Sequence, residues 1–256
     1  MRRLITALAL IVVALYLIGW APGPVFFGAA LLMGVLCYRE YSGLVAAHGI
    51  PRSGVFGLLA GVSLLFWPHE ALTIGSILFV CAFLMDLRLN NLRDVLPGAA
   101  CEFLGAFYTF APWRFSADLR NESRHLLFFA LALNWIGDSA AYYTGRAFGK
   151  HRMAPVVSPN KSWEGACASI LASLAFGVVY LHYAGQGTWR QAAILAVLGN
   201  IAGQVGDLVE SAIKRGGGVK DSGTFLPGHG GMLDRVDSSL FTLPVIYVMH
   251  RILSAA

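Results

Sequence analysis

The sequence predicts an all-α integral membrane protein with about nine transmembrane helices and a cytoplasmic N-terminus. Of its 256 residues, 57% are hydrophobic and only 13% are charged, and its mean hydropathy is +0.63. Soluble domains average about 45–50% apolar and about 25% charged residues. A chain this apolar therefore indicates a protein that is solvated by a lipid bilayer.

Nine apolar runs are candidates for these helices, since a helix needs roughly 17–25 apolar residues to cross a bilayer. The runs lie near 4–20, 24–38, 54–68, 70–86, 95–113, 125–145, 165–184, 190–208 and 239–254. Glycine and proline interrupt several of them, which membrane helices tolerate where neighbouring groups satisfy the freed backbone. No internal repeat or linker divides the chain, so we expect a single polytopic membrane domain over 1–256.

The basic residues predict the orientation of the chain. With nine spans and a cytoplasmic N-terminus, 14 lysines and arginines lie on the inner side and 5 on the outer side, 19 in all. This is the positive-inside bias of membrane proteins, and it accounts for the net charge of +5 without nucleic acid as a partner. The exception is a predicted outer loop at 114–124 with three arginines. The polar inner loops 146–164 and 209–238 are separated by two spans and face one compartment.

A polar sequence continues the eighth apolar run. Asp207, Ser211 and Lys214 are spaced i, i+4, i+7 and therefore share one helical face. A charged side chain costs roughly 2.5–3.5 kcal/mol at the bilayer centre and less at the interface. A basic helix C-terminus that complements the helix dipole accounts for Lys214 and Arg215, but it leaves Asp207 without a role.

A glycine-rich segment precedes the last apolar run. Gly228, Gly230 and Gly231 allow the backbone to approach a ligand closely, and their amide groups can meet phosphate oxygens. The segment is therefore a candidate for binding a phosphorylated substrate.

Two carboxylates follow these glycines. Asp234 and Asp237 are three residues apart at the entry to the last helix, where acidic side chains also stabilise a helix N-terminus. Mg²⁺ usually takes one or two carboxylates together with water and substrate phosphates. The presence of Lys220, His229 and Arg235 nearby favours a metal site over simple capping.

A third polar cluster begins inside the sixth apolar run. Asp138 is followed by Tyr142 and Arg146 on one helical stripe, and an acidic residue within a membrane span indicates function. The alternative is a structural link between Asp138 and Arg146. Residues 158–161 predict a turn that leads into the next helix. Lys161 either binds a phosphate group or is one of the basic residues that keep this loop on the cytoplasmic side of the membrane.

Together the three clusters predict a patch of carboxylates, basic side chains and flexible glycines at the inner membrane surface. Such a composition suits a site that binds a metal–polyphosphate complex next to a lipid. The sequence contains no Walker A pattern and no dinucleotide-binding fingerprint.

The sequence from Ser211 to Asp237 resembles the signature of the phosphatidate cytidylyltransferase (CDP-diacylglycerol synthase) family. The matching positions are Ser211-Ala212-Ile213-Lys214-Arg215, Lys220-Asp221-Ser222-Gly223 and Pro227-Gly228-His229-Gly230-Gly231-Met232-Leu233-Asp234-Arg235-Val236-Asp237. The stretch from Asp138 to Gly165 also resembles the family. The resemblance thus covers approximately 130–240, the expected catalytic half, whereas earlier it rests only on hydropathy and Glu40-Tyr41.

This resemblance implies the reaction of CTP with phosphatidic acid to give CDP-diacylglycerol and pyrophosphate. It implies a Mg²⁺-dependent enzyme of phospholipid biosynthesis, often dimeric, in the bacterial inner membrane with its active site facing the cytoplasm. The implied metal ligands are Asp207 and Asp234. The expected catalytic residues are Ser211, Lys214, Arg215, Lys220, Asp221, His229, Arg235 and Asp237. The expected substrate-binding residues are Asp138, Lys161, Gly230 and Gly231.

Three other functions stay open from the sequence. A related CTP-dependent membrane enzyme, such as a CDP-archaeol synthase or a polyprenol or phytol kinase, would act on a different lipid. A transporter would also have intramembrane acids and glycine-interrupted helices, but it gives no reason for the loop at 220–237. A catalytically silent relative would bind the substrates without turning them over.

Overall fold

The computed structural model describes residues 2–52, 54–86, 91–225 and 230–255. In this part of the chain the helices are α1 (Arg2–Gly19), α2 (Gly23–Ala47), α3 (Val55–Phe66), α4 (Ala71–Asp86), α5 (Val95–Glu122), α6 (Arg124–Phe148), α7 (Trp163–Tyr183), α8 (Trp189–Gly216) and α9 (Leu233–Ala255). A short 3-10 helix, Leu92–Asp94, precedes α5. Strands β1 (Arg152–Ala154) and β2 (Ser158–Ser162) form a hairpin between α6 and α7. The predicted all-α class is confirmed.

Each of the nine predicted apolar runs coincides with one of these helices. Among the residues that the structure describes, α7, α8 and α9 are long and apolar enough to cross a bilayer. The apolar parts of α3 and α4 are shorter, Val55–Phe66 and Thr73–Ala82.

The predicted loop at 114–124 is wrong, because helix α5 continues through it to Glu122. Hydropathy falls at Arg114, but the helical backbone does not end there, and the Arg114 guanidinium donates to the Leu65 carbonyl at 3.4 Å. The break comes at Ser123, whose extended backbone separates α5 from α6. The Ser123 side chain accepts the His125 N–H at 3.2 Å and so caps α6.

The predicted turn at 158–161 is also wrong, because these residues belong to β2. Strand β2 pairs antiparallel with β1, with Arg152 opposite Ser162 and an irregularity in the register. Pro159 is tolerated because both strands of a two-stranded sheet are edge strands. Ser162 then caps α7 by accepting the Gly165 N–H at 3.2 Å.

The chain forms two compact units, the first from Met1–Ala117 with Ile213–Arg235 and the second from Asp118–Ala212 with Val236–Ala256. Helices α5, α8 and α9 contribute residues to both. A single polytopic domain remains the prediction from the sequence.

The core of the first unit is packed through small residues on α2 and α3. The Phe110 ring is fully buried, and a Cβ added at Gly34 would lie 2.6 Å from it. A Cβ at Gly61 would also collide with this ring. Glycines therefore let the helices approach closely, as they do in membrane bundles. The Gly57 N–H, at the start of α3, donates to Glu102 Oε1 at 2.8 Å.

The second unit is held by hydrogen bonds between apolar helices. The Thr242 hydroxyl donates to Asn134 Oδ1 at 2.9 Å, which joins α9 to α6. The Asn200 amide donates to the hydroxyls of Ser169 and Ser173 at 2.9 and 2.8 Å, which joins α8 to α7. Polar side chains bridge membrane helices in this way because an apolar interior offers them few other partners. These bonds fix the helices that carry Asp138 and Asp207.

Candidate active site

The carboxylate of Asp234 lies in the first turn of α9 and is bonded on both oxygens. Its Oδ1 accepts from Lys214 Nζ at 2.6 Å. Its Oδ2 accepts the N–H groups of Ser222 at 2.9 Å and Gly231 at 2.8 Å. The side chains of Lys214 and Asp234 are only 12% and 6% exposed. The pair is therefore a nearly buried, charge-assisted contact within the first unit.

Lys214 is placed by the last turn of α8. The predicted helical continuation through this residue is confirmed, since α8 ends at Gly216. Gly218 follows with a φ of +70°, a left-handed conformation that favours glycine. The Val219 N–H returns to the Lys214 carbonyl at 3.0 Å and closes the helix end.

Two glycines allow the loop before α9 to reach Asp234. Gly230 has a φ of +80°, and a Cβ there would lie 2.6 Å from Asp234 Oδ2. A Cβ at Gly231 would collide with the hydroxyl of Ser222 and with the Glu40 carboxylate. Both positions thus require the absence of a side chain. The Gly231 amide, predicted to meet a phosphate, donates to Asp234 here.

Glu40 on α2 also contacts this loop, although no role for it is predicted from the sequence. It accepts the N–H groups of Met232 at 2.9 Å and Leu233 at 2.8 Å. The second apolar run ends near 38 and therefore predicts that Glu40 lies outside the helix, whereas α2 continues to Ala47. The sequence feature that could have identified Glu40 is an acidic residue at the polar end of a helix. We call Glu40, Lys214, Ser222, Gly231 and Asp234 the α9 N-terminal cluster.

The second unit contains a separate cluster around Asp207. Lys161 Nζ lies 2.7 Å from Asp207 Oδ2, and their side chains are 25% and 31% exposed. The Ser211 hydroxyl donates to Asp207 Oδ1 at 3.3 Å, as their spacing on α8 predicts. Asp138 lies within electrostatic range of both Asp207 and Lys161. We call Asp138, Lys161, Asp207 and Ser211 the Asp207 cluster.

Lys161 is presented by the hairpin of β1 and β2, which is anchored at its base. His151 Nδ1 lies 2.6 Å from Glu164 Oε1. The Trp163 N–H donates to the His151 carbonyl at 2.9 Å. Ser162, next to Lys161, is buried. The backbone on both sides of Lys161 is therefore held in place.

Asp138 lies on α6, where the residue is exposed at the surface of the fold. The Arg146 guanidinium donates to the Tyr142 hydroxyl at 3.4 Å, so these two members of the predicted stripe are in contact. The charged groups that act on Asp138 are Asp207 and Lys161. The structure thus gives Asp138 a place in the Asp207 cluster.

The remaining predicted residues lie between 215 and 237 in the sequence. Four of them are exposed: Arg215, Lys220, Asp221 and Arg235. Asp237 Oδ1 accepts the Ser238 N–H at 2.7 Å. His229 lies outside the described residues. Exposed basic side chains are of the kind that binds phosphate oxygens.

The donor chemistry of Asp207 and Asp234 fits Mg²⁺. Among the described residues, no three His, Cys, Asp or Glu side chains lie close enough together to hold a metal ion. Each of the two carboxylates instead binds a lysine ammonium. Mg²⁺ commonly uses one or two carboxylates and takes its other ligands from water and substrate phosphates. A carboxylate that already stabilises one positive charge suits that pattern.

Comparison with known proteins identifies relatives of the whole chain. The family described as "Cytidylyltransferase family" matches residues 1–253. A phosphatidate cytidylyltransferase of Brucella suis biovar 1 is 35% identical over 258 residues, which cover 98% of this chain and 93% of that protein. A phosphatidate cytidylyltransferase of Staphylococcus haemolyticus is 32% identical over 86% of this chain and 87% of that protein. One from Staphylococcus aureus (strain COL) is 37% identical over 62% of each chain.

Proposed function

Because the chain belongs to the cytidylyltransferase family, we propose that it is a phosphatidate cytidylyltransferase. It transfers the cytidylyl group of CTP to phosphatidic acid and releases CDP-diacylglycerol and pyrophosphate. The name shared by relatives that align with nearly the whole chain supports this pair of substrates. The reaction is a step of phospholipid biosynthesis.

The observation that carries this proposal is the bonded pair of Lys214 and Asp234. The pair is nearly buried, with 2.6 Å between Nζ and Oδ1. Both residues belong to the signature, and exposed Arg215 and Arg235 adjoin them in the sequence. A carboxylate and several cations at the end of α8 and the start of α9 suit a polyphosphate. Basic side chains bind its phosphate oxygens, and a carboxylate can hold the metal ion that accompanies it.

The chain must bring two anions together for this reaction. A phosphate oxygen of phosphatidic acid attacks the α-phosphorus of CTP, the bond between that phosphorus and the bridging oxygen breaks, and pyrophosphate leaves. The lipid phosphate is already ionised near neutral pH, so no strong base is required. Arg215, Lys220 and Arg235 hold phosphate oxygens, with arginine able to bind two at once. Positioning and charge stabilisation supply most of the catalysis, by analogy with phosphoryl transfer.

Lys214 and Lys161 have a second role in this proposal. Each holds its carboxylate before substrate binds, and each ammonium can then turn to a phosphate. Asp207 and Asp234 are the carboxylates proposed to hold Mg²⁺. When bound, Mg²⁺ neutralises phosphate charge and stabilises the leaving pyrophosphate. His229 is proposed as a substrate contact or a residue that handles a proton.

We further propose nine membrane spans with a cytoplasmic N-terminus, in the bacterial inner membrane, and a homodimer. The positive-inside bias and the nine apolar runs support the topology. Single cysteines at Arg152 and Thr188, in a background without the native cysteines, test it in intact cells. A membrane-impermeant maleimide added outside should label Thr188→Cys and leave Arg152→Cys unlabelled. Labelling of Arg152→Cys alone would show that the topology is the reverse of the one proposed.

The decisive experiment uses CTP labelled at either the α- or the γ-phosphate, with purified protein, phosphatidic acid and Mg²⁺. Cytidylyl transfer places the α-label in the lipid and the γ-label in water-soluble pyrophosphate. In a parallel reaction with phytol or a polyprenol in place of phosphatidic acid, a lipid kinase would transfer the γ-phosphate to the hydroxyl of the alcohol and release CDP. A transporter would turn over neither label. A chelator should abolish the transfer, and Asp234→Asn protein serves as the inactive control.

A further inference from the structure

Glu40 is bonded to the segment that carries Asp234, although the proposed function assigns it no role. Its Oε1 accepts the Met232 N–H at 2.9 Å, and its Oε2 accepts the Leu233 N–H at 2.8 Å. Its Oε2 also accepts the Ser222 hydroxyl at 3.0 Å. Met232 and Leu233 are 7% and 0% exposed, so water has little access to their N–H groups. A side chain of α2 thus satisfies amide groups at the start of α9 that no helical carbonyl can reach.

Ser222 links this carboxylate to that of Asp234. The Ser222 hydroxyl oxygen lies 3.0 Å from Glu40 Oε2 and 3.0 Å from Asp234 Oδ2. A hydroxyl has one proton, so it can donate to only one carboxylate at a time. A change at Glu40 therefore alters the hydrogen bonding of Asp234 without touching it directly.

The loop also fits closely around the Glu40 side chain. A Cβ added at Gly223 would lie 2.9 Å from Glu40 Oε1, and a Cβ at Gly231 would collide with the same carboxylate. Gly223 directly follows Ser222, and Gly231 directly precedes Met232. Close packing of this kind leaves Gly223 and Gly231 little room to adjust to a different side chain at position 40.

From these contacts we infer that Glu40 is a positioning residue for the transfer reaction. It holds Ser222 and the first turn of α9, and thereby keeps Asp234 aligned with Lys214. It acts through these residues and not on the substrates. The inference rests on the proposed function, since the alignment of Asp234 matters to turnover only if the chain performs the transfer.

The test compares three variants of the full-length protein in detergent. Glu40→Gln keeps the size of the side chain but replaces one accepting oxygen with a donor, which must face an amide N–H. Glu40→Asp keeps both oxygens on a shorter stem. The matched control is Glu102→Gln, because Glu102 is a 6% exposed carboxylate of the same unit that accepts a backbone N–H, from Gly57. Amide hydrogen exchange of residues 230–236 and the kinetics with CTP are measured for each.

We expect Glu40→Gln to accelerate exchange at 230–236 and to raise the KM for CTP. We expect kcat/KM to fall by roughly 10- to 100-fold, as when a supporting hydrogen bond behind a reacting group is lost. Glu40→Asp should recover part of both effects, and Glu102→Gln should show neither. A mere loss of folded protein would lower the apparent kcat and leave KM unchanged.

The inference is overturned if Glu40→Gln leaves exchange at 230–236 as in the native protein. It is also overturned if exchange accelerates while KM and kcat/KM stay unchanged, or if Glu102→Gln reproduces both effects. Absence of transfer by the native protein would instead refute the proposed function. The exchange measurement would then still decide whether Glu40 holds the start of α9.

Discussion

Lys214 and Asp234 form an ion pair of 2.6 Å between the last turn of α8 and the first turn of α9. Their side chains are 12% and 6% exposed, so water screens the pair little. The remaining Asp234 oxygen accepts two backbone N–H groups, from Ser222 and Gly231. The loop between the two helices is thus tied to one carboxylate from both sides.

The first prediction is that this pair stabilises the fold. Lys214→Met keeps the length of the side chain but leaves Asp234 charged, nearly buried and without its cation. Removal of one partner from such a pair typically costs about 3–5 kcal/mol. The free energy of unfolding in detergent should therefore fall by an amount in that range. Adding Asp234→Asn to Lys214→Met should recover part of the loss, and strict additivity of the two single changes would show that the pair has no coupling energy.

The second prediction separates the catalytic role of Asp234 from its structural one. Asp234→Asn keeps the shape of the side chain, but its amide group must face either the Lys214 ammonium or the two loop N–H groups. We expect no measurable CTP-dependent conversion of phosphatidic acid, with a cooperative unfolding transition retained. The matched control is Glu122→Gln, which removes a carboxylate charge that is paired with Arg251 at 3.2 Å. Retained activity in Asp234→Asn would remove the proposed metal role.

The sequence predicts what depends on local spacing. The contact between Ser211 and Asp207 follows from their separation of four residues on one helix. The end of α8 at Gly216 follows from the preference for glycine beyond a helix C-terminus. The hairpin that carries Lys161 was missed, because the local proline and asparagine at 159–160 favour a turn, and the pairing with β1 outweighs that preference.

The contacts of Asp234 could not be predicted from local spacing in the sequence. Lys214 is 20 residues away in the sequence, and Glu40 is more than 180 residues from the loop that it caps. Such pairs depend on how the helices pack, which no single period or motif encodes. Hydropathy even ended the second run before Glu40, because a charged pair, Arg39-Glu40, interrupts it while the helical hydrogen bonding continues to Ala47.

The third prediction concerns Lys161, which the sequence left as either a phosphate contact or a topological charge. Lys161→Ala should raise the KM for CTP or for phosphatidic acid. Its pair with Asp207 is 25% and 31% exposed, so the loss of stability should be only about 0.2–1 kcal/mol. Arg152→Ala is the control, since Arg152 is an exposed cation on the same hairpin. If the KM values for both substrates are unchanged in Lys161→Ala, Lys161 does not contact a phosphate. It would then serve only as a positive charge that sets the orientation of the chain in the membrane.

The last prediction uses glycines to distinguish backbone strain from a collision in the site. Gly218 has a φ of +70° with open space around it, whereas a Cβ at Gly231 would meet the Ser222 hydroxyl and Glu40. Gly218→Ala should cost about 1–2 kcal/mol of stability through its left-handed backbone and leave kcat/KM for CTP near the native value.

Gly231→Ala has no such strain, because its φ is not positive, yet it should displace the loop from Asp234. We expect its kcat/KM to fall by on the order of 100-fold, since small misplacements near the reacting groups have effects of that size. Thermal unfolding and steady-state kinetics of both variants provide the comparison. Equal kinetic losses in the two variants would mean that general destabilisation, and not the fit of the loop around Asp234, controls activity.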